Sequence, residues 1–139
     1  MDNDHEIITK SANETAKVGE SLARGLKARI FCLYGDLGSG KTTFTQGFAK
    51  GLGIGSRLLS PTFIIVRRYD VPKSEKLLYH IDLYRIAHFD GLGLEEIFSD
   101  PNAIVIIEWA EKLGDALPKG RMDVHFLTLA HDKHKITIG

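Results

Sequence analysis

The stretch "GDLGSGKTTF", residues 35–44, carries the strongest structural signal in the chain. Residues 35–42 match the pattern G-x-x-x-x-G-K-[ST] at every defined position. Glycines let such a loop approach a phosphate closely, and a following helix points its positive N-terminus at the same group. The pattern therefore predicts a phosphate-binding loop. Its expected ligand contacts are Asp36, Leu37, Gly38, Ser39, Gly40, Lys41, Thr42 and Thr43.

Two residues of the loop have more specific expected roles. The ammonium group of Lys41 would contact the β- and γ-phosphates of a nucleotide, and the hydroxyl of Thr42 would bind Mg²⁺. The flanking sequence agrees, because the apolar run "RIFCLY" (29–34) predicts a buried strand before the loop. Residues 41–52 predict a helix after it, which ends near Gly51 or Gly53.

The rest of the chain predicts one α/β domain over residues 1–139. We expect a P-loop NTPase domain, with a mostly parallel sheet flanked by helices and with antiparallel additions. The clearest buried strand is "AIVIIEW" (103–109). The other predicted elements are a helix over 12–27, a hairpin of 62–70 with 77–85, a short helix over 91–100, and two closing strands in "MDVHFLTLA" (122–130) and "HKITIG" (134–139).

Composition limits the possible functions of the chain. The 139 residues include 18 Lys and Arg and 18 Asp and Glu, so the formal net charge of zero argues against a broad electrostatic footprint on nucleic acid. A single cysteine, Cys32, excludes an internal disulfide framework and suits a reducing cytoplasm. No segment reaches the roughly 18 apolar residues of a membrane span, so we expect no membrane association.

A P-loop needs a second acidic group at the end of a neighbouring strand to organise the metal and its water. Two residues qualify: Glu108 ends "AIVIIE", and Asp82 follows "LLYHI". Pattern alone leaves both open, and both could act, because strand ends meet at the loop edge. The segment "SPTF" (60–63) presents Thr62 after a proline, where it is either a γ-phosphate-sensing threonine or part of an ordinary turn.

Together these segments resemble one family. "GDLGSGKTTF", "SPTF", "YHIDLYR" and "IEWAEKL", in this order and spacing, are similar to the motifs of TsaE, also called YjeE. TsaE is the small bacterial P-loop ATPase of threonylcarbamoyladenosine synthesis on tRNA. The resemblance spans residues 14–113. It departs from the family mildly at Ser39, where alanine is usual, and at Ala110, where proline is common.

The resemblance implies a role for each matching residue. Lys41 would hold phosphate, Thr42 and Glu108 would bind Mg²⁺, Asp82 would act near the γ-phosphate or the metal, and Thr62 would be the switch threonine. These residues would form the catalytic set of a weak ATPase. The family acts on a complex of TsaB and TsaD, in which TsaD carries the transferase site. TsaB and TsaD are therefore the expected partners, and tRNA would be contacted only through the complex.

Two other functions stay open from the residues alone. A small-molecule P-loop kinase would transfer phosphate to an acceptor and would need lid arginines, for which Arg67, Arg68 and Arg85 are candidates. A non-hydrolysing nucleotide-binding adaptor would bind the triphosphate without turnover. The GTPase signature N-K-x-D is missing from the sequence, which favours ATP over GTP.

Overall fold

The structure, a computed structural model, describes residues 5–55, 66–87 and 92–139. Strands and helices alternate along most of this chain. The strands are β1 His5–Thr9, β2 Ile30–Tyr34, β3 Val66–Asp70, β4 Leu77–Asp82, β5 Ala103–Glu108, β6 Met122–Ala130 and β7 Lys133–Ile138. The helices are α1 Ala12–Arg24, α2 Lys41–Gly51, α3 Leu94–Ser99 and a 3₁₀ segment Ala110–Ala116 that is kinked at Gly114.

The described strands form one mixed sheet in the order β1-β7-β6-β2-β5-β4-β3. Its centre is parallel, because β2 pairs in parallel with β5 and β6, and β4 pairs in parallel with β5. Antiparallel pairs flank this centre: β7 with β6 and β1 on one side, and β3 with β4 on the other. The prediction of a mostly parallel sheet is therefore correct for the centre alone, since antiparallel strands build both edges.

Two apolar layers cover the sheet. Helices α1 and α2 pack on one face over Phe31, Leu33 and Ile106, whereas α3 and the 3₁₀ segment cover Ile30, Val105 and Ile107 on the other. Cys32 lies in the second layer, and burial raises the pKa of its thiol to about 12. Its thiol is therefore a packing group at neutral pH, as the apolar run predicts.

The two helices of the first layer lie unusually close together. A Cβ on Gly47 of α2 would lie 1.9 Å from the carbonyl oxygen of Ala16, and a Cβ on Gly19 of α1 would lie 2.2 Å from that of Phe44. Glycine is therefore required at both positions for this approach. This close contact packs α1 against α2, which begins at the glycine-rich loop.

Most predicted elements are present, several of them with shorter bounds. Helix α1 ends at Arg24 rather than at residue 27, because the backbone leaves helical geometry at Gly25. The N–H of Gly25 still donates a hydrogen bond to the carbonyl oxygen of Ser21. The pairing of β3 with β4 confirms the predicted hairpin from Val66 onwards, while residues 62–65 lie outside the described part. Strand β1 was not predicted. Within the described residues no helix is both long and apolar enough to cross a membrane.

Candidate functional site

The glycine-rich loop connects the end of β2 with the start of α2. Gly35, Gly38 and Gly40 have φ angles of +151°, +76° and +103°, a region that favours glycine. A Cβ on Gly35 would also lie 2.8 Å from the carbonyl oxygen of Phe126, so the loop has no room for a side chain there. The N–H of Ser39 donates to the carbonyl of Asp36 at 3.1 Å, which curls the loop before α2 begins.

This loop forms one wall of a cleft of about 520 Å³. The cleft lies where the parallel strands β2, β4 and β5 end, which is the usual position for a ligand in an open α/β sheet. Its lining residues are Leu37, Gly38, Ser39, Gly40, Lys41, Thr42 and Thr43 from the loop and α2, Asp82, Tyr84, Arg85, Glu108 and Trp109 from the strand ends, and Ala12, Thr15, Asp132 and His134 from the chain ends. Asp36 is exposed and does not line the cleft.

Both candidate carboxylates reach this cleft. Asp82 and Glu108 are the last residues of β4 and β5, and they stand opposite each other in the register of the parallel pair. The hydroxyl of Thr42 donates to Oε1 of Glu108 at 3.2 Å, so the first turn of α2 touches the end of β5. Mg²⁺ prefers oxygen ligands such as hydroxyl and carboxylate groups, so the side chains of Thr42 and Glu108 fit such an ion.

Lys41 is held between the loop and the aromatic ring of Trp109. Its ammonium group donates to the carbonyl of Gly35 and lies 3.5 Å from the centroid of the Trp109 ring. Burial lowers the pKa of Lys41, while the charges of nearby carboxylates, Glu108 first among them, oppose this shift. Trp109 itself has φ +59°, a left-handed backbone that turns the chain sharply after Glu108.

Asp82 occupies a different environment from Glu108. Its Oδ1 accepts from the N–H of Tyr84 at 2.9 Å, which closes a tight turn at the end of β4. Burial raises the pKa of Asp82, and the hydrogen bond from Tyr84 counteracts part of this. The Tyr84 ring lies 4.9 Å from the Trp109 ring, and Nζ of Lys112 donates to the Tyr84 carbonyl at 2.6 Å. These contacts fix the turn beside the cleft.

The chain ends contribute lining residues that the sequence reasoning did not identify. Thr15 of α1 is buried, and its hydroxyl lies 2.7 Å from that of Thr9 on β1. Asp132 and His134 come from the hairpin between β6 and β7. No local pattern marks these residues, because contacts between distant segments bring them together: β1 pairs with β7, and α1 packs against α2. Thr62, the predicted switch residue, lies outside the described residues.

The chain is similar to a group of proteins that share one name. A family model described as "Threonylcarbamoyl adenosine biosynthesis protein TsaE" matches residues 9–136. A relative named tRNA threonylcarbamoyladenosine biosynthesis protein TsaE, from Bacillus subtilis, is 37% identical over 131 residues, which cover 93% of this chain and 81% of the relative. The protein of the same name from Treponema pallidum is 33% identical over 135 residues, which cover 94% of this chain and 97% of that protein.

A solved structure shows the same fold. The crystal structure of Bacillus subtilis YdiB superposes on this chain with a TM-score of 0.82 at 34% sequence identity. The match covers 99% of this chain and 86% of the YdiB chain. The arrangement of helices around the mixed sheet is therefore shared with that protein.

Proposed function

The chain belongs to the TsaE family of tRNA threonylcarbamoyladenosine biosynthesis proteins, and from this premise we propose that it is a small Mg²⁺-dependent P-loop ATPase that supports this modification of tRNA. One observation carries the proposal. The glycine-rich loop, the hydroxyl of Thr42 and the carboxylates of Glu108 and Asp82 converge on one cleft. This set combines hydrogen-bond donors for phosphate with oxygens that can bind a metal ion, as triphosphate hydrolysis requires.

Each residue of the set has a distinct part in this proposal. The loop N–H groups and the start of α2 bind the phosphates, and Lys41 leaves the Gly35 carbonyl and the Trp109 ring to contact them. Thr42 and Glu108 would hold Mg²⁺, which neutralises negative charge on the phosphates when it is bound. Asp82 faces the same space and orients the attacking water.

The far end of the cleft suits the nucleoside. Four lining residues lie away from the strand-end carboxylates, both in sequence and in the order of the sheet. They are Ala12 and Thr15 from α1, and Asp132 and His134 from the β6–β7 hairpin. A volume of about 520 Å³ is within the range of small-molecule sites. We place the base and ribose of ATP against these four residues.

The proposed partners are the proteins TsaB and TsaD. The residues that line the cleft suit a nucleotide. Because the formal net charge of the chain is zero, we assign tRNA binding to the complex with TsaB and TsaD. The chain then acts as a nucleotide-controlled accessory subunit. A cytoplasmic location and a single domain over residues 1–139 belong to the same proposal.

ATP binding is expected to change the fluorescence of Trp109, the only tryptophan in the chain. The reason is that the Lys41 ammonium now lies on the indole ring and must move to reach a phosphate. Titration with a non-hydrolysable ATP analogue and Mg²⁺ measures this change, and adenosine is the control because it lacks phosphates. Equal responses to the analogue and to adenosine, or no response to either, would contradict phosphate binding at this loop.

Thr62→Ala is expected to reduce the difference between the ATP-bound and ADP-bound states in their affinity for TsaB–TsaD. The motif "SPTF" motivates this proposal, since a threonine that contacts the γ-phosphate gives the two states different energies. Loss of one hydrogen bond to a charged group costs about 1.5–3 kcal/mol. Partner affinity measured in each state tests it. An unchanged ATP-to-ADP affinity ratio in the variant would make Thr62 an ordinary turn residue.

A further inference from the structure

A buried histidine stands directly behind Glu108. His80 lies on β4 two residues before Asp82, and its side chain is 1% exposed. Its Nε2 lies 2.5 Å from Oε2 of Glu108, which is itself 2% exposed. His80 is not among the residues that line the cleft, so it has no direct access to a ligand there.

The two oxygens of Glu108 therefore have different neighbours. Oε2 contacts His80 on the buried side, and Oε1 contacts the hydroxyl of Thr42 on the cleft side. A carboxylate that is bound at one oxygen cannot rotate freely about its terminal bond. The other oxygen is thereby aimed at the position where Thr42 and a bound cation would meet it.

The second ring nitrogen indicates where the proton lies. Nδ1 of His80 is buried and has no hydrogen-bond partner among the described residues. A proton on Nδ1 alone would leave a buried donor unpaired and would also remove the donor that faces Glu108, which is unfavourable on both counts. The tautomer with the proton on Nε2 satisfies the contact with Glu108.

We propose that His80 is a positioning residue, which donates its Nε2–H to Oε2 of Glu108 and so holds Oε1 in place for the divalent cation. The identity of that cation rests on the proposed function, whereas the contact between His80 and Glu108 is observed in the structure itself. Groups that orient a metal-binding carboxylate typically alter metal affinity or activity by about 10- to 100-fold when they are removed.

The test compares two substitutions of similar size with different hydrogen-bonding capacity. His80→Gln keeps an N–H donor near the position of Nε2, whereas His80→Leu removes it. Mn²⁺ affinity is measured by electron paramagnetic resonance in the presence of a non-hydrolysable ATP analogue. We expect His80→Leu to weaken Mn²⁺ binding by about tenfold or more, and His80→Gln to restore most of the loss.

A matched control separates this effect from general loss of stability. Leu78 is fully buried on the same strand and the same face, two residues before His80, and it contributes to the apolar layer under α2. Leu78→Ala is expected to lower the melting temperature without weakening Mn²⁺ binding. Equal loss of Mn²⁺ affinity in His80→Leu and His80→Gln, or unchanged affinity in both, would overturn the proposal.

A second readout uses wild-type protein without nucleotide or metal. Nitrogen-15 NMR of the His80 ring shows which nitrogen carries a proton, and we expect a protonated Nε2 whose signal shifts in Glu108→Gln. An Nε2 without a proton would overturn the proposal even if the His80 variants failed to fold. This result is independent of the proposed function, which fails separately if wild-type protein binds no Mg²⁺ and ATP.

Discussion

Lys41→Ala is expected to weaken ATP binding by about ten- to a hundredfold while leaving the fold intact. A charge-assisted hydrogen bond to phosphate contributes roughly 1.5–3 kcal/mol, and each 1.4 kcal/mol corresponds to a factor of ten in affinity. The loss has a second cause, because the carboxylates of Glu108 and Asp82 would then face the phosphates without the opposing charge of Lys41. Isothermal titration calorimetry with ATP and Mg²⁺ measures the effect.

Lys50→Ala is the matched control for this substitution. Lys50 lies in the last turn of the same helix and is exposed, so its removal changes the net charge equally without touching the cleft. Circular dichroism verifies that both variants keep their helices. If Lys41→Ala and Lys50→Ala bind ATP as the wild type does, the loop of residues 35–42 is not the phosphate site.

Glu108→Gln is expected to reduce ATP hydrolysis by on the order of a hundredfold with a much smaller effect on ATP affinity. Glutamine preserves the size of the side chain but lacks the negative charge with which a carboxylate strengthens binding of a divalent cation. Because Glu108 touches Thr42 and His80 and not the loop N–H groups, the loss should appear in turnover rather than in binding. Steady-state phosphate release at saturating ATP and Mg²⁺ measures it.

Glu95→Gln and Asp82→Asn complete this experiment. Glu95 is an exposed acid in the first turn of α3 that does not line the cleft, so Glu95→Gln should hydrolyse ATP at the wild-type rate. Asp82→Asn tests the neighbouring carboxylate on β4. If Glu108→Gln kept normal turnover while Asp82→Asn abolished it, the metal-binding role would belong to Asp82.

The centre of the site could be predicted because its signals are local in sequence. The loop of residues 35–42 is contiguous, and its glycines, lysine and threonine each have a direct chemical reason. Glu108 follows five consecutive apolar and buried residues of β5, so the sequence itself predicts an acidic residue at the end of a buried strand. The helix after the loop and the hairpin formed by β3 and β4 followed from the same kind of pattern.

The rest of the site depends on contacts between distant parts of the chain. Strand β1 is five residues long and mostly exposed, and it exists because it pairs with β7 at the opposite end of the sequence. This pairing and the packing of α1 against α2 bring Thr15 and His134 to one cleft. The contact between His80 and Glu108 depends on the register of β4 with β5, which single-sequence patterns do not specify.

The contact of Lys41 with Trp109 shows a similar limit. The loop pattern predicts that the lysine faces a phosphate, whereas the structure places its ammonium against the Gly35 carbonyl and the indole ring. Trp109 has a left-handed backbone, and a non-glycine residue gives no sequence signal for that conformation. The proposed ATP would therefore have to compete with an existing set of Lys41 contacts.

The most direct test of the proposed ATPase is product analysis with ATP labelled at the γ-phosphate, in the presence of Mg²⁺, TsaB, TsaD and a mixture of small metabolites. The proposal predicts that the label is released as inorganic phosphate, that TsaB and TsaD accelerate the release, and that Lys41→Ala abolishes it. Label recovered on a metabolite would instead identify a small-molecule kinase. Bound ATP that stays intact with both partners present would identify a nucleotide-binding adaptor, and either result would contradict the proposed ATPase.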